Sequence, residues 1–172
     1  TLIGSAELAH EQATDYVDAG AVANDYADGS VEVSVSGSVD SDRAGIYVLT
    51  YTAVDSEGNE AKPVTRTVTV ADTTPPVLYP PEDLETFAVS ARGNPANEDD
   101  ISYFLQSVYA IDTVDKELAI TNNAPDIFPL GLTTVVFSVS DSSGNIANSV
   151  SAKVFVKTST NNFMANNADF SY

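Results

Sequence analysis

The chain has 172 residues, with no cysteine, no tryptophan and 25 Asp and Glu against 7 Lys and Arg, for a net charge of −18. Such a surface repels phosphate backbones and anionic membranes, which excludes nucleic acid and membrane insertion and favours cations. Without thiols there is no disulfide framework, no thiolate metal site and no cysteine nucleophile. No apolar run approaches the roughly 20 residues of a membrane span, and a start at Thr1 without Met reads as a piece of a longer protein.

Residues 1–8 predict a first short strand and residues 11–18 a polar turn. Residues 21–23 read as a second strand, feeding the turn formers Asn24-Asp25-Tyr26-Ala27-Asp28-Gly29. Val31, Val33 and Val35 alternate with polar residues, the period of a half-buried strand with its valines toward the core. Residues 45–54 form a long strand with Tyr47, Leu49, Tyr51 and Ala53 on one face and Ile46, Val48, Thr50 and Thr52 on the other. Asp55-Ser56-Glu57-Gly58-Asn59 then turns the chain back into a run in which Val64, Arg66, Val68 and Val70 alternate with threonines, the pattern of a hairpin. Tyr47 stands where an immunoglobulin-type sandwich carries a tyrosine that bonds back to upstream backbone, and Leu49 stands where a cysteine would be.

Ala71-Asp72-Thr73-Thr74-Pro75-Pro76 is the expected boundary, a short and stiff linker. Val77-Leu78 opens the second domain, and residues 84–89 predict an edge strand. After a polar stretch at 92–100, Ile101, Phe104, Leu105 and Val108 fall at helical spacing, with Asn97 and Glu98-Asp99-Asp100 as cap and first turn; they predict a short helix near 98–106. A strand near 108–111 leads to Asp112-Thr113-Val114-Asp115, in the place of Asp25 to Asp28. Residues 131–147, GLTTVVFSVSDSSGNIA, then repeat residues 45–61, GIYVLTYTAVDSEGNEA, and Val150, Val154 and Val156 mark the last strand. The Asn- and Ser-rich residues 158–172 read as a tail or the start of a following module. The expected fold is all-β: two tandem Ig-like β-sandwich domains at about 1–72 and 73–157, with the short helix in the second.

Thr73-Thr74-Pro75-Pro76-Val77, Asp112 to Asp115, residues 128–135 and residues 141–147 together resemble the hyalin repeat, an Ig-like extracellular module, over most of 73–157. Residues 16–21, 25–29 and 55–59 resemble the bacterial Ig-like repeats found in tandem on surface proteins. The second domain lacks the cysteines many hyalin repeats carry, which favours a bacterial origin, and its 94–105 segment looks inserted. The resemblance implies a secreted or cell-surface role in adhesion or spacing within large extracellular proteins, polysaccharide-degrading enzymes among them. It implies neighbouring domains of the same polypeptide, and a protein or glycan, as partners, and it implies no catalysis.

In such sandwiches two of the inter-strand loops share one end. That placement gathers Asp25, Asp28, Asp55 and Asn59 in the first domain and Asp112, Asp115, Asp141 and Asn145 in the second, the latter group facing the linker near Asp72. Carboxylate and amide oxygens in that number are ligands for Ca²⁺, which takes six to eight of them, so these residues are candidate calcium sites that would stiffen the joint. The alternative is that Asp, Asn and Gly stand there because turns need them, each carboxylate bonding local backbone. His10 is the single histidine and reads as a surface side chain rather than part of a triad, and no catalytic residue is assigned. A competing function is an accessory carbohydrate-binding module, which would stack sugars on an exposed aromatic pair. Tyr26, Tyr79, Tyr103 and Tyr109 are the candidates, none paired at an obvious spacing, and packing in the core or at its rim is the favoured reading of each. Lys153 and Lys157 fall on a solvated strand face, which argues against an intramolecular Lys–Asn cross-link.

Overall fold

The computed structural model describes residues 1–158, so the expected tail lies outside the described residues except for Thr158. The chain divides into two units, Thr1–Thr74 and the residues from Pro75 onward.

The first unit holds β1 (Glu7–Glu11), β2 (Ala23–Asp25), β3 (Gly29–Val31), β4 (Val33–Ser36), β5 (Gly45–Ala53) and β6 (Val64–Ala71). Its main sheet runs β1-β6-β5-β4, with β1 parallel to β6 and the other pairs antiparallel, while β2 and β3 form a separate hairpin. The alternation in β5 and β6 is realised as written: Leu49, Tyr51, Ala53, Val68 and Val70 are buried, whereas Ile46 and Val48 face solvent. The Tyr47 hydroxyl donates to the Arg43 carbonyl at 2.7 Å, the corner bond its position predicts.

Arg66 shares the parity of the valines in β6 and is fully buried with them. Its guanidinium donates to the carbonyls of Ile3, Ser5 and Gly20, to the Asp18 carboxylate and to the Tyr51 hydroxyl. This explains where the first strand begins. Of the backbone expected to form a strand at 1–8, the Ile3 and Ser5 carbonyls accept from Arg66, residues 1–3 pair with residues 20–22 only around an isolated bridge from Leu2 to Ala21, and the strand itself is Glu7–Glu11. The second strand is likewise displaced, beginning at Ala23 and taking in Asn24 and Asp25, because the hairpin turns at 26–28, where the Asp25 carboxylate caps the Ala27 and Asp28 amides. The expectation that three valines face the core fails at Val35. The run is split at Glu32 between the hairpin strand β3 and the edge strand β4; Val31 and Val33 are half-buried, while Val35, near the end of a strand that has β5 as its one neighbour in the sheet, is exposed.

The second unit holds β7 (Val77–Tyr79), β8 (Leu84–Phe87), β9 (Asn94–Pro95), α1 (Asp99–Gln106), β10 (Tyr109–Ile111), β11 (Thr121–Asn122), β12 (Ile127–Phe128), β13 (Gly131–Ser138) and β14 (Val150–Lys157). The main sheet is β11-β13-β14-β8, with β8 as a parallel edge strand on β14, and β10-β7 and β12-β9 are short antiparallel pairs. The helix falls where its spacing places it. Glu98, rather than Asn97, is the cap, its carboxylate accepting from the Asp100 and Ile101 amides, and Asp99 and Asp100 suit the positive end of the helix dipole. Ile101 and Phe104 are buried among Leu78, Phe128, Val135 and Phe137, with the Phe104 and Phe137 rings 6.2 Å apart. Burial of this apolar surface, at roughly 25 cal/mol per Å², is what fixes the helix to the sandwich.

Candidate functional site

The acidic loops have the same construction in both units. In the first, the Asp25 Oδ1 accepts from the Ala27 and Asp28 amides, Asp28 accepts from the Ser56 amide and hydroxyl at 2.8 and 2.9 Å, and Asp55 accepts from the Asn59 amide and side chain, each at 2.7 Å. In the second, Asp112 caps Val114 and Asp115, Asp115 accepts from the Ser142 amide and hydroxyl, and Asp141 accepts from the Asn145 amide and side chain. Each unit therefore ties its two loops together through one Asp-to-Ser clasp. This is turn chemistry in which Asx bonds replace backbone bonds.

At Asp55 and Asp141 the bonds favour the charged carboxylate. Asn59, through its side chain and then its amide, takes Asp55 below its ordinary value; at Asp141 burial raises the value and the bonds from Asn145 outweigh it, so that group is lowered too. Asp115 and Asp141 bring carboxylate oxygens within 4.8 Å of one another, close enough for both to ligate one hard cation. Asp112 and Asp141 are buried. Asp72 follows β6, is itself buried, and accepts from the Thr74 amide at 3.3 Å. Glu11 holds the same end of the first unit, accepting from the Thr73 hydroxyl and from the amides of Thr73 and Thr74, bonds that lower its carboxyl from the ordinary value.

His10 lies half-buried in β1, its Nε2 at 3.0 Å from the Thr14 carbonyl and its ring edge-on to Tyr16. These contacts arrange no triad around it.

Packing in the core or its rim is not what the candidate tyrosines do. Tyr26, Tyr79, Tyr103 and Tyr109 are all exposed, and Tyr79 and Tyr109, directly opposed in the β7–β10 pair, stack at 4.7 Å with ring planes 10° apart. The pairing escapes a reading by sequence spacing because the two rings come from distant strands. The recoverable signal is parity: Val77 and Tyr79 on one strand, and Tyr109 and Ile111 on the other, alternate about the inward Leu78 and Ala110. The stacked pair lines a groove of about 520 Å³ together with Asp100 and Tyr103 of α1 and with Pro80, Pro81 and Asp83.

Residues 1–70 match the family model described as bacterial surface protein, Ig-like domain. The chain is 36% identical over 106 residues to hyalin of Strongylocentrotus purpuratus, covering 60% of this chain and 8% of that protein. To hyalin of Lytechinus variegatus it is 35% identical over 106 residues, covering 60% of this chain and 19% of the relative. A lipoprotein structure from Bacteroides thetaiotaomicron is 26% identical, with a TM-score of 0.38, covering 82% of this chain and 59% of that one. The chain thus spans a small part of the hyalins it matches; its first 70 residues match the model of the bacterial surface Ig-like domain, and the chain is similar to hyalin.

Proposed function

We propose that the chain is a non-catalytic pair of Ig-like modules acting as a spacer or adhesion segment of a larger secreted or surface-anchored bacterial protein, stiffened by calcium. The observation that carries this reading is the repeated loop clasp, Asp28 to Ser56 and Asp115 to Ser142, since two modules that spend their polar loops on the same internal bonding are suited to extension rather than to chemistry. The similarity to hyalin and the match to a surface Ig-like domain support the extracellular placement. Calcium is supported by the closeness of the Asp115 and Asp141 carboxylates and by a net charge of −18 that a divalent cation would relieve. Asp25, Asp28, Asp55 and Asn59 form the corresponding candidate set in the first unit, and Asp112 and Asn145 complete that of the second.

The test is thermal unfolding of the chelator-treated chain with and without millimolar Ca²⁺, with Mg²⁺ as control. Saturation at a hundred times the dissociation constant adds about 2.7 kcal/mol, a rise of several degrees in the midpoint of a small domain. A Ca²⁺-selective rise abolished by Asp115→Asn supports the calcium part of the proposal. An unchanged midpoint returns these residues to turn chemistry alone.

A further inference from the structure

The second unit departs from the first at the segment that looks inserted, and it is there that the groove lies. Helix α1 contributes Asp100, Tyr103 and Phe104, and the stretch from Tyr79 through the two prolines to Asp83 contributes the other side. We infer that this groove binds a non-anionic carbohydrate, a neutral or amino-sugar chain, with pyranose CH faces laid on the tyrosine rings and hydroxyl or ammonium groups held by Asp83 and Asp100.

Four observations carry the inference. The volume of about 520 Å³ lies within the roughly 300–1,000 Å³ of small-ligand clefts. The apolar surface is aromatic and uncovered: Tyr79 is 38% exposed, Tyr109 54% and Tyr103 77%, and a flat, nearly parallel pair of rings continues naturally into a third flat apolar face. The two carboxylates are anchored, Asp83 by the Lys153 amide at 2.7 Å and Asp100 by the Thr86 hydroxyl at 2.9 Å. Each spends one oxygen on the chain and keeps a second for a ligand donor. Among the described residues no Lys or Arg lines the groove, so an anionic glycan meets like charge without a counter-ion. The inference is independent of the spacer reading and of calcium.

The experiment is calorimetric titration of the full chain with neutral glucan, xylan, mannan and galactan oligosaccharides and with chitosan oligomers, oligogalacturonate serving as anionic control. Saturable binding of at least one neutral or amino sugar is expected, and none of oligogalacturonate. Tyr79→Ala and Tyr103→Ala are each expected to weaken it about tenfold, the scale of one lost stacking contact, Tyr79→Phe to retain it, and Tyr26→Ala in the other unit to leave it unchanged. Tyr103 projects from the exposed side of α1, so its replacement tests the groove even if Tyr79→Ala unfolds the β7–β10 pair. Failure of every neutral and amino sugar at about 10 mM, or affinity indifferent to Tyr103→Ala and Tyr79→Ala, overturns the inference. So does binding of a Pro-rich or Lys-rich peptide in place of sugars.

Discussion

At the scale of single residues, Arg66 has the most to lose. It is fully buried, it pairs with a half-buried Asp18, and three backbone carbonyls depend on it. Removing one partner of such a pair strands the other, so Arg66→Ala is expected to destabilise the first unit by about 3–5 kcal/mol in urea unfolding. The same network sets a pH window. Burial raises the Asp18 carboxyl, but the bonds from Tyr51 and Arg66 outweigh it and leave the group below its ordinary value; stability from Asp18 is therefore full above about pH 4 and lost as pH falls through the lowered value. Burial and then the Asp18 carboxylate push the Tyr51 hydroxyl up to about 12. The folded state thus holds that proton more tightly, and its contribution, full below about pH 10, disappears as pH climbs through the raised value. A thermal midpoint that is flat at intermediate pH and falls at both ends is expected, with Asp18→Asn removing most of the acid limb contributed by this network.

At the scale of elements, legibility followed length and parity. The long strands β5, β6, β13 and β14 and the helix were readable because eight or nine alternating or helically spaced positions leave little choice of face. Short elements were not: the segment ahead of β1 is bonded by an arginine side chain 61 residues beyond Ser5, and the valine run is split because β3 pairs with β2 while β4 pairs with β5. The acidic loops were legible as turns and as a repeated set, yet the clasp from Asp28 to Ser56 joins two loops and shows only in three dimensions. The groove was out of reach because its walls come from β7 and α1, whose packing no local pattern states. One glycine makes a sharp test at this scale. Gly93 has φ +106°, and a Cβ there would stand 1.9 Å from the Phe128 carbonyl oxygen, whereas Gly144, at φ +90°, has open space around it. Gly93→Ala is expected to cost about 2 kcal/mol or more and to loosen the β9–β12 pair, Gly144→Ala only about 1 kcal/mol of backbone strain; unfolding of the two variants side by side checks the difference.

At the scale of the whole molecule, two copies of one plan have diverged in what fills them. The first unit completes a small apolar core with a bonded arginine, and the second completes a larger one with a helix. The parallel pairings give both copies a common property. In the first unit the early strand β1 lies parallel to the final strand β6 over five residue pairs, from Glu7 with Thr67 to Glu11 with Ala71, and in the second β8 lies parallel to β14 over four. Tension applied through the chain pulls one strand of each pair toward its N-terminus and its partner toward its C-terminus, so the strands must slide along one another and the ladder bonds resist together. A terminal hairpin would open one bond at a time. Each module is thereby built to take a pull in shear, the direction in which hydrogen-bonded strands yield last.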